Sequence, residues 1–284
     1  MPDTGVVGRL RAAGCVFAEE EAEMLLASAA GPDELDLMVE RRAAGLPLEH
    51  VVGWAAFGGL RIEVDGGVFV PRRRTEFLVG RAVELARPGA VCVDLCCGSG
   101  AAGAVLLDRV RGAEVHAADI EPAAVRCARR NVEPRGGRVH EGDLFAPLPA
   151  ELRGRVEILV ANVPYVPTDE IGLLPPEARD HEPLVTLDGG RDGLDVLRRV
   201  AAGAPEWLAP GGHLLVETSE RQAEGAVEAV VEVSGGLLAP EVITSEEWWA
   251  TVVVATRRQG GGRAGQDPSS GARRARGLLR TKGR

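Results

Sequence analysis

Residues 90–110 read AVCVDLCCGSGAAGAVLLDRV, and the order of side chains in that stretch decides the fold. Ala90 to Leu95 form a short apolar run broken by one acid, Asp94, the pattern of a strand buried on both faces. CCGSG then supplies two glycines, Gly98 and Gly100, where the chain must turn tightly. AAGAVLLDRV continues with apolar residues at helical spacing. Such a unit sets a helix N-terminus, with its free N–H groups, beside the carboxyl end of a strand.

The same rhythm runs downstream. AEVHAAD (113–119) reads as a second strand and EPAAVRCARRNV (121–132) as its helix, with Pro122 suited to a first turn. GRVHEGDLF (137–145), VEILVAN (156–162) and GGHLLVE (211–217) supply three more strands, and RDGLDVLRRVAAGAPEWL and ERQAEGAVEAVVEV two more helices. EVITS (241–245) and WWATVVVAT (248–256) read as a closing hairpin. The alternation predicts an α/β domain over residues 76–256: a seven-stranded, mostly parallel Rossmann-like sheet with helices on both faces. Upstream, residues 1–46 read as a small helical domain. Residues 47–75 read as an extended linker whose β-hairpin turns at DGG (65–67), between GGLRIEV and VFVP.

Charge and composition narrow the function. Residues 257–284 carry nine Lys/Arg and one acid, so with a net charge of −9 the remaining 256 residues hold about −17. An acidic body of that kind is a poor binder of phosphate backbones, so no stable nucleic-acid complex is expected. The tail is rich in Gly, Arg and Ser without periodic apolar positions, and it reads as a disordered, solvated extension. No run of eighteen apolar residues exists, which excludes a transmembrane helix. Five cysteines without C-x-x-C pairs or nearby histidines read as reduced thiols and no metal site, in a cytoplasmic, monomeric protein.

Three acids follow one another at strand ends: Asp94 before the glycine turn, Asp119 after the second strand, Asp143 after the third. Asp119 stands where ribose hydroxyls are read in such sheets. Asp94 would repel a pyrophosphate, which argues against a dinucleotide even though Gly98, Gly100 and Gly103 loosely match G-x-G-x-x-G. S-adenosylmethionine, with a positive sulfonium and ammonium, suits this arrangement. Cys96, Ile120 and Leu144 flank those positions and join Asp94, Gly98, Gly100, Asp119 and Asp143 as the expected cofactor contacts. Each acid taken singly is equally well a helix cap; the set favours the cofactor.

The fourth strand ends in NVPY, which holds the only tyrosine of the chain. Asn162 brings a side-chain acceptor. Pro164 has no N–H and stiffens the turn, so the carbonyl of Val163 should project outward. Two acceptors side by side match the two hydrogens of an –NH2 group, and the face of Tyr165 offers a flat surface for a planar amide or base. Methyl transfer to a planar –NH2 is the chemistry this implies. Asn162, Val163, Pro164 and Tyr165 are then both the catalytic and the acceptor-binding residues, with Asn162 also next to the cofactor. No strong general base is evident in the sequence.

Taken together, these segments resemble the HemK/PrmC-type protein-(glutamine-N5) methyltransferases. PLEHVVGWAAFGG is similar to that family's PLxYixGxxxFxG. VFVPRRRTEFLV is similar to its IPRPETE run at Pro71, Arg72, Thr75 and Glu76. NVPY resembles its NPPY, and EPLVTLDGGRDGL its EPxxALxGGxDGL. The resemblance implies a class I S-adenosylmethionine-dependent methyltransferase acting on a protein, the GGQ glutamine of a peptide-chain release factor, with Arg72 and Glu76 near the substrate. Val163 replaces the first proline of the motif, Arg74 stands where a glutamate is usual, and the N-terminal domain is short. A nucleic-acid adenine or guanine amino-N-methyltransferase and a non-catalytic S-adenosylmethionine-binding protein are the alternatives.

Overall fold

The structure, a computed structural model, describes residues 4–259; the predicted tail lies outside the described residues from position 260 onward. Four helices come first: α1 (Thr4–Ala12), α2 (Ala18–Ser28), α3 (Pro32–Ala43) and α4 (Leu48–Val52). Their apolar faces meet in a core of their own around Leu10, Leu25 and Val39. Buried Arg42 binds Glu21 within that core and reaches Glu177 at 2.7 Å, tying the helices to the rest of the chain.

The next segment corrects two expectations. PLEHVV contains α4 where extended chain was expected. The hairpin pairs β1 (Trp54–Phe57) with β2 (Leu60–Glu63) across Gly58–Gly59, not across DGG at 65–67. The reason is local. Both glycines have positive φ, 59° and 81°, as a two-residue hairpin turn demands. A Cβ on Gly58 would also lie 2.5 Å from Val105.

After α5 (Thr75–Leu85) come β3 (Val91–Leu95), α6 (Ala101–Arg109), β4 (Glu114–Asp119), α7 (Pro122–Val132), β5 (Arg138–Glu141) and β6 (Val156–Ala161). The chain continues through α8 (Pro176–His181), α9 (Asp195–Trp207), β7 (Leu208–Thr218), α10 (Ala223–Val233), β8 (Leu238–Ser245) and β9 (Ala250–Arg257). Seven of the strands form one sheet in the order β5-β4-β3-β6-β7-β9-β8. The first five are parallel, and β9 inserts antiparallel between β7 and β8.

Side-chain alternation along the central strands divides the core. Val91, Val93, Leu95, Leu159, Ala161, Leu214 and Val216 pack under α9 and α10. Cys92, Ile158, Val160 and Leu215 pack under α5 and α6 on the opposite face. The same period of two puts Asp94 of β3, Glu217 of β7 and Asn162, one residue past β6, on the α5/α6 face. The strand order reverses between β3 and β6, so a crevice opens at their carboxyl ends, where ligands of such sheets bind.

Candidate active site

A cleft of about 1410 Å³ lies at those carboxyl ends. The loop after β3 enters it through Cys96 and Gly98, both with φ of 54°. Gly98 donates its N–H to Asp119 Oδ2 at 2.8 Å, and Glu121 donates to Oδ1 at 2.9 Å. Asp119, at the end of β4, is thereby fixed with its remaining lone pairs toward the cleft, and burial raises its carboxyl pKa. Ile120, Asp143 and Leu144 line the same end, with Asp143 paired to Arg199 of α9 at 2.5 Å.

Two expected cofactor residues are not in the lining. Asp94 points under the glycine loop and accepts the N–H of Gly103 at 2.9 Å. It caps α6, the role any single acid there could take, and burial pushes its carboxyl up to about 7. Gly100 (φ 76°) packs against α7, where a Cβ would sit 2.8 Å from Val132. Both residues shape the loop from behind.

The other end of the cleft is formed by NVPY. Asn162, Val163, Pro164 and Tyr165 all line it. Neither the side chain of Asn162 nor the carbonyl of Val163 takes a hydrogen bond from any described residue. A buttress holds this loop from outside. Val166 donates to Leu187 and accepts from Gly189, while Gln222 donates to the Tyr165 carbonyl at 2.9 Å. A Cβ on Gly193 would collide with that carbonyl oxygen. The GGRDGL segment therefore supports NVPY, which sequence spacing does not reveal.

Arg72 lines the cleft, but its guanidinium is committed to buried Glu182 at 2.7 Å, which also accepts the Val70 N–H. This pair locks PRRRTE to EPLV. Glu76 sits in the first turn of α5 and does not line the cleft.

Arg74 and Glu217 are functional candidates that the sequence did not disclose. Arg74 donates to Glu217 Oε1 at 2.8 Å and to the Tyr165 hydroxyl, which in turn donates to Glu217 Oε1 at 3.2 Å. Burial works against the Arg74 charge, and the Tyr165 hydroxyl and Glu217 carboxylate more than offset it, so its pKa rises. Burial, then Glu217, likewise raises that of Tyr165. The hydroxyl of Tyr165 thus joins Arg74 and Glu217 in one network.

Two further patterns mark the cleft as functional. Buried side-chain atoms without partners include Asn162 Oδ1, Glu217 Oε2 and Thr218 Oγ1, all on residues that line it. Such groups in a native structure need a partner, which water or a ligand in the cleft can supply. The three non-glycine residues with positive φ among the described residues, Cys96, Leu144 and Trp249, also line it, as expected where backbone strain serves a site.

A glycine loop after the central strand, an acid anchored to that loop after the next and an acceptor-rich turn after the fourth are the marks of an S-adenosylmethionine-dependent methyltransferase. Residues 61–172 match the family model described as the methyltransferase small domain. A methyltransferase crystal structure from Pyrococcus furiosus shares the fold at TM-score 0.53 and 16% identity, over 70% of this chain and 90% of that one. The chain is 38% identical over 237 residues to a release factor glutamine methyltransferase of Geobacter sulfurreducens, covering 76% of this chain and 82% of the relative. It belongs to that family. It is also 36% identical, over 80% of its length and 78% of the relative's, to a 4-amino-L-phenylalanine/4-methylamino-L-phenylalanine methyltransferase of Streptomyces pristinaespiralis.

Proposed function

We propose that this enzyme methylates the side-chain amide nitrogen (N5) of a glutamine in a protein, the GGQ glutamine of a peptide-chain release factor, and that it works in the cytoplasm. The observation that carries this reading is the unengaged Asn162 side chain beside the free Val163 carbonyl, both in the lining of the cleft. Bound S-adenosylmethionine would supply an electrophilic methyl group on a positively charged sulfur. Asp119 would hold the ribose, and Asp143, Ile120 and Leu144 the adenine end; Cys96 and Gly98 would lie along the cofactor. The Asp119 carboxylate and the orphaned acceptors suit the polar, cationic character of that group.

An amide nitrogen is a poor nucleophile because its lone pair is delocalised. Asn162 Oδ1 and the Val163 carbonyl accept its two N–H bonds and hold it in the reacting orientation. The Tyr165 ring packs on the amide plane, and Arg74 and Gln222 fix that ring and its backbone. Pro164 keeps the Val163 carbonyl out of the sheet.

Similarity to the 4-amino-L-phenylalanine/4-methylamino-L-phenylalanine methyltransferase supports a second reading, because an arylamine is also a planar –NH2. The two separate in one assay. Purified enzyme with isotopically labelled S-adenosylmethionine is offered a bacterial release factor, free 4-amino-L-phenylalanine and DNA in parallel. Label on the glutamine of the release factor, located by mass spectrometry, is the expected result. Label confined to the free amino acid or to DNA overturns the glutamine reading.

A further inference from the structure

Glu217 stands at the end of β7, and the parallel register Ala161↔Val216 sets it beside Asn162 on the same face of the sheet. The residue is 2% exposed. Its Oε1 is committed to Arg74 and Tyr165, so the carboxylate cannot rotate freely. Its Oε2 is buried and has no partner. An unsatisfied buried carboxylate oxygen is costly, and a ligand donor would remove that cost. Of the other acids lining the cleft, Asp143, Glu177, Glu220, Glu246 and Glu247 are not buried, and Asp119, at the end of β4, stands at the glycine loop, away from NVPY. Glu217 is therefore the one buried carboxylate beside NVPY among the described residues that line the cleft.

We propose that Glu217 Oε2 takes the proton that the acceptor nitrogen sheds on methylation, after Asn162 Oδ1 and the Val163 carbonyl have oriented its two hydrogens. The inference rests on the reading of this cleft as an –NH2 methylation site. The charges balance. A neutral nitrogen that forms a bond to the methyl carbon, while the carbon–sulfur electron pair leaves with sulfur, gains one positive charge and must lose one proton. Asn162 Oδ1 and the Val163 carbonyl can orient hydrogens but cannot keep a proton, because protonated amides are strong acids. A carboxylate can keep it, and it also stabilises the positive charge as it develops. Arg74 and the Tyr165 hydroxyl aim it.

The test is Glu217→Gln in the full-length protein, which preserves shape and hydrogen-bond acceptance but cannot hold the proton. Single-turnover transfer to whichever acceptor the wild type methylates should slow about 100-fold, the scale of a lost proton acceptor, with S-adenosylmethionine affinity by calorimetry unchanged. A second readout is independent of turnover. An NMR titration compares a Gly-Gly-Gln peptide with the same peptide carrying an amidine in place of the side-chain amide, a mimic of the charged nitrogen. Wild type should prefer the cation by roughly tenfold, as expected for differential recognition of developing charge, and the variant should lose the preference. Wild-type transfer by Glu217→Gln, a retained preference for the amidine, or a cofactor affinity that falls in step with the rate overturns the proposal. The identity of the acceptor that the wild type methylates tests the glutamine reading separately.

Discussion

At the scale of single residues, the proposed reading divides the cleft into a cofactor end and an acceptor end that do not share side-chain hydrogen bonds. Asp119 belongs to the first, with both carboxylate oxygens anchored by backbone N–H groups. Asn162 belongs to the second, with no side-chain hydrogen bond to lose. The two should therefore fail differently. Asp119→Ala should weaken S-adenosylmethionine by about 1.5–3 kcal/mol, the range for a hydrogen bond with a charged partner. Asn162→Ala should leave that affinity nearly unchanged and slow transfer by about 10²–10³-fold, as loss of one preorganised polar group does. Calorimetry and single-turnover rates on the same preparations check this, and a cofactor defect in Asn162→Ala would show that the two ends have been misassigned.

At the scale of elements, α6 is capped by a carboxylate that the fold buries completely. Asp94 satisfies the Gly103 N–H from a position 2% exposed, and its carboxyl pKa is raised to about 7 from burial. The sign of the pH effect follows. Between about pH 4, where the unfolded carboxyl releases its proton, and about pH 7, the folded chain holds a proton that the unfolded chain has lost. Stability contributed by this site therefore falls as pH rises through that window and levels off above it. Asp119, also raised by burial, acts in the same direction. Asp94→Asn should flatten that decline, as read from denaturant midpoints at about pH 4 and about pH 8. An unchanged pH profile would mean that Asp94 is not the group responsible.

At the scale of the whole molecule, the mouth of the cleft is built from parts that are distant in sequence. Trp249, at the β8–β9 turn, is 88% exposed with φ of 50° and lines the cleft together with Leu174, which follows the NVPY loop. A tryptophan held in left-handed backbone and in water costs the fold about 1–2 kcal/mol, which suggests a use outside the free enzyme. Trp249→Gly should raise the melting temperature while raising KM for a folded protein acceptor about tenfold, the scale of a lost aromatic anchor. A free amino acid acceptor should be indifferent to it. A lowered melting temperature with KM unchanged would refute the trade.

The α/β class, the seven strands and the glycine turn were legible in the sequence because they rest on local periodicity and turn chemistry, which neighbouring residues encode. NVPY was legible for the same reason: a polar turn after an apolar strand is a local signal. The hairpin turn was not, because GG at 58–59 and DGG at 65–67 are both good turn sequences, and the close approach of Val105 to Gly58 is a tertiary contact. The direction of Asp94 was decided by β3 and α6 packing, which turned an expected cofactor contact into a cap. Most of all, Arg74, Tyr165 and Glu217 are separated by as many as 143 positions in the chain. Only the sheet order β3-β6-β7, with α5 packed on one face and Arg74 at its N-terminus, brings a guanidinium, a phenol and a buried carboxylate to one corner of one cleft.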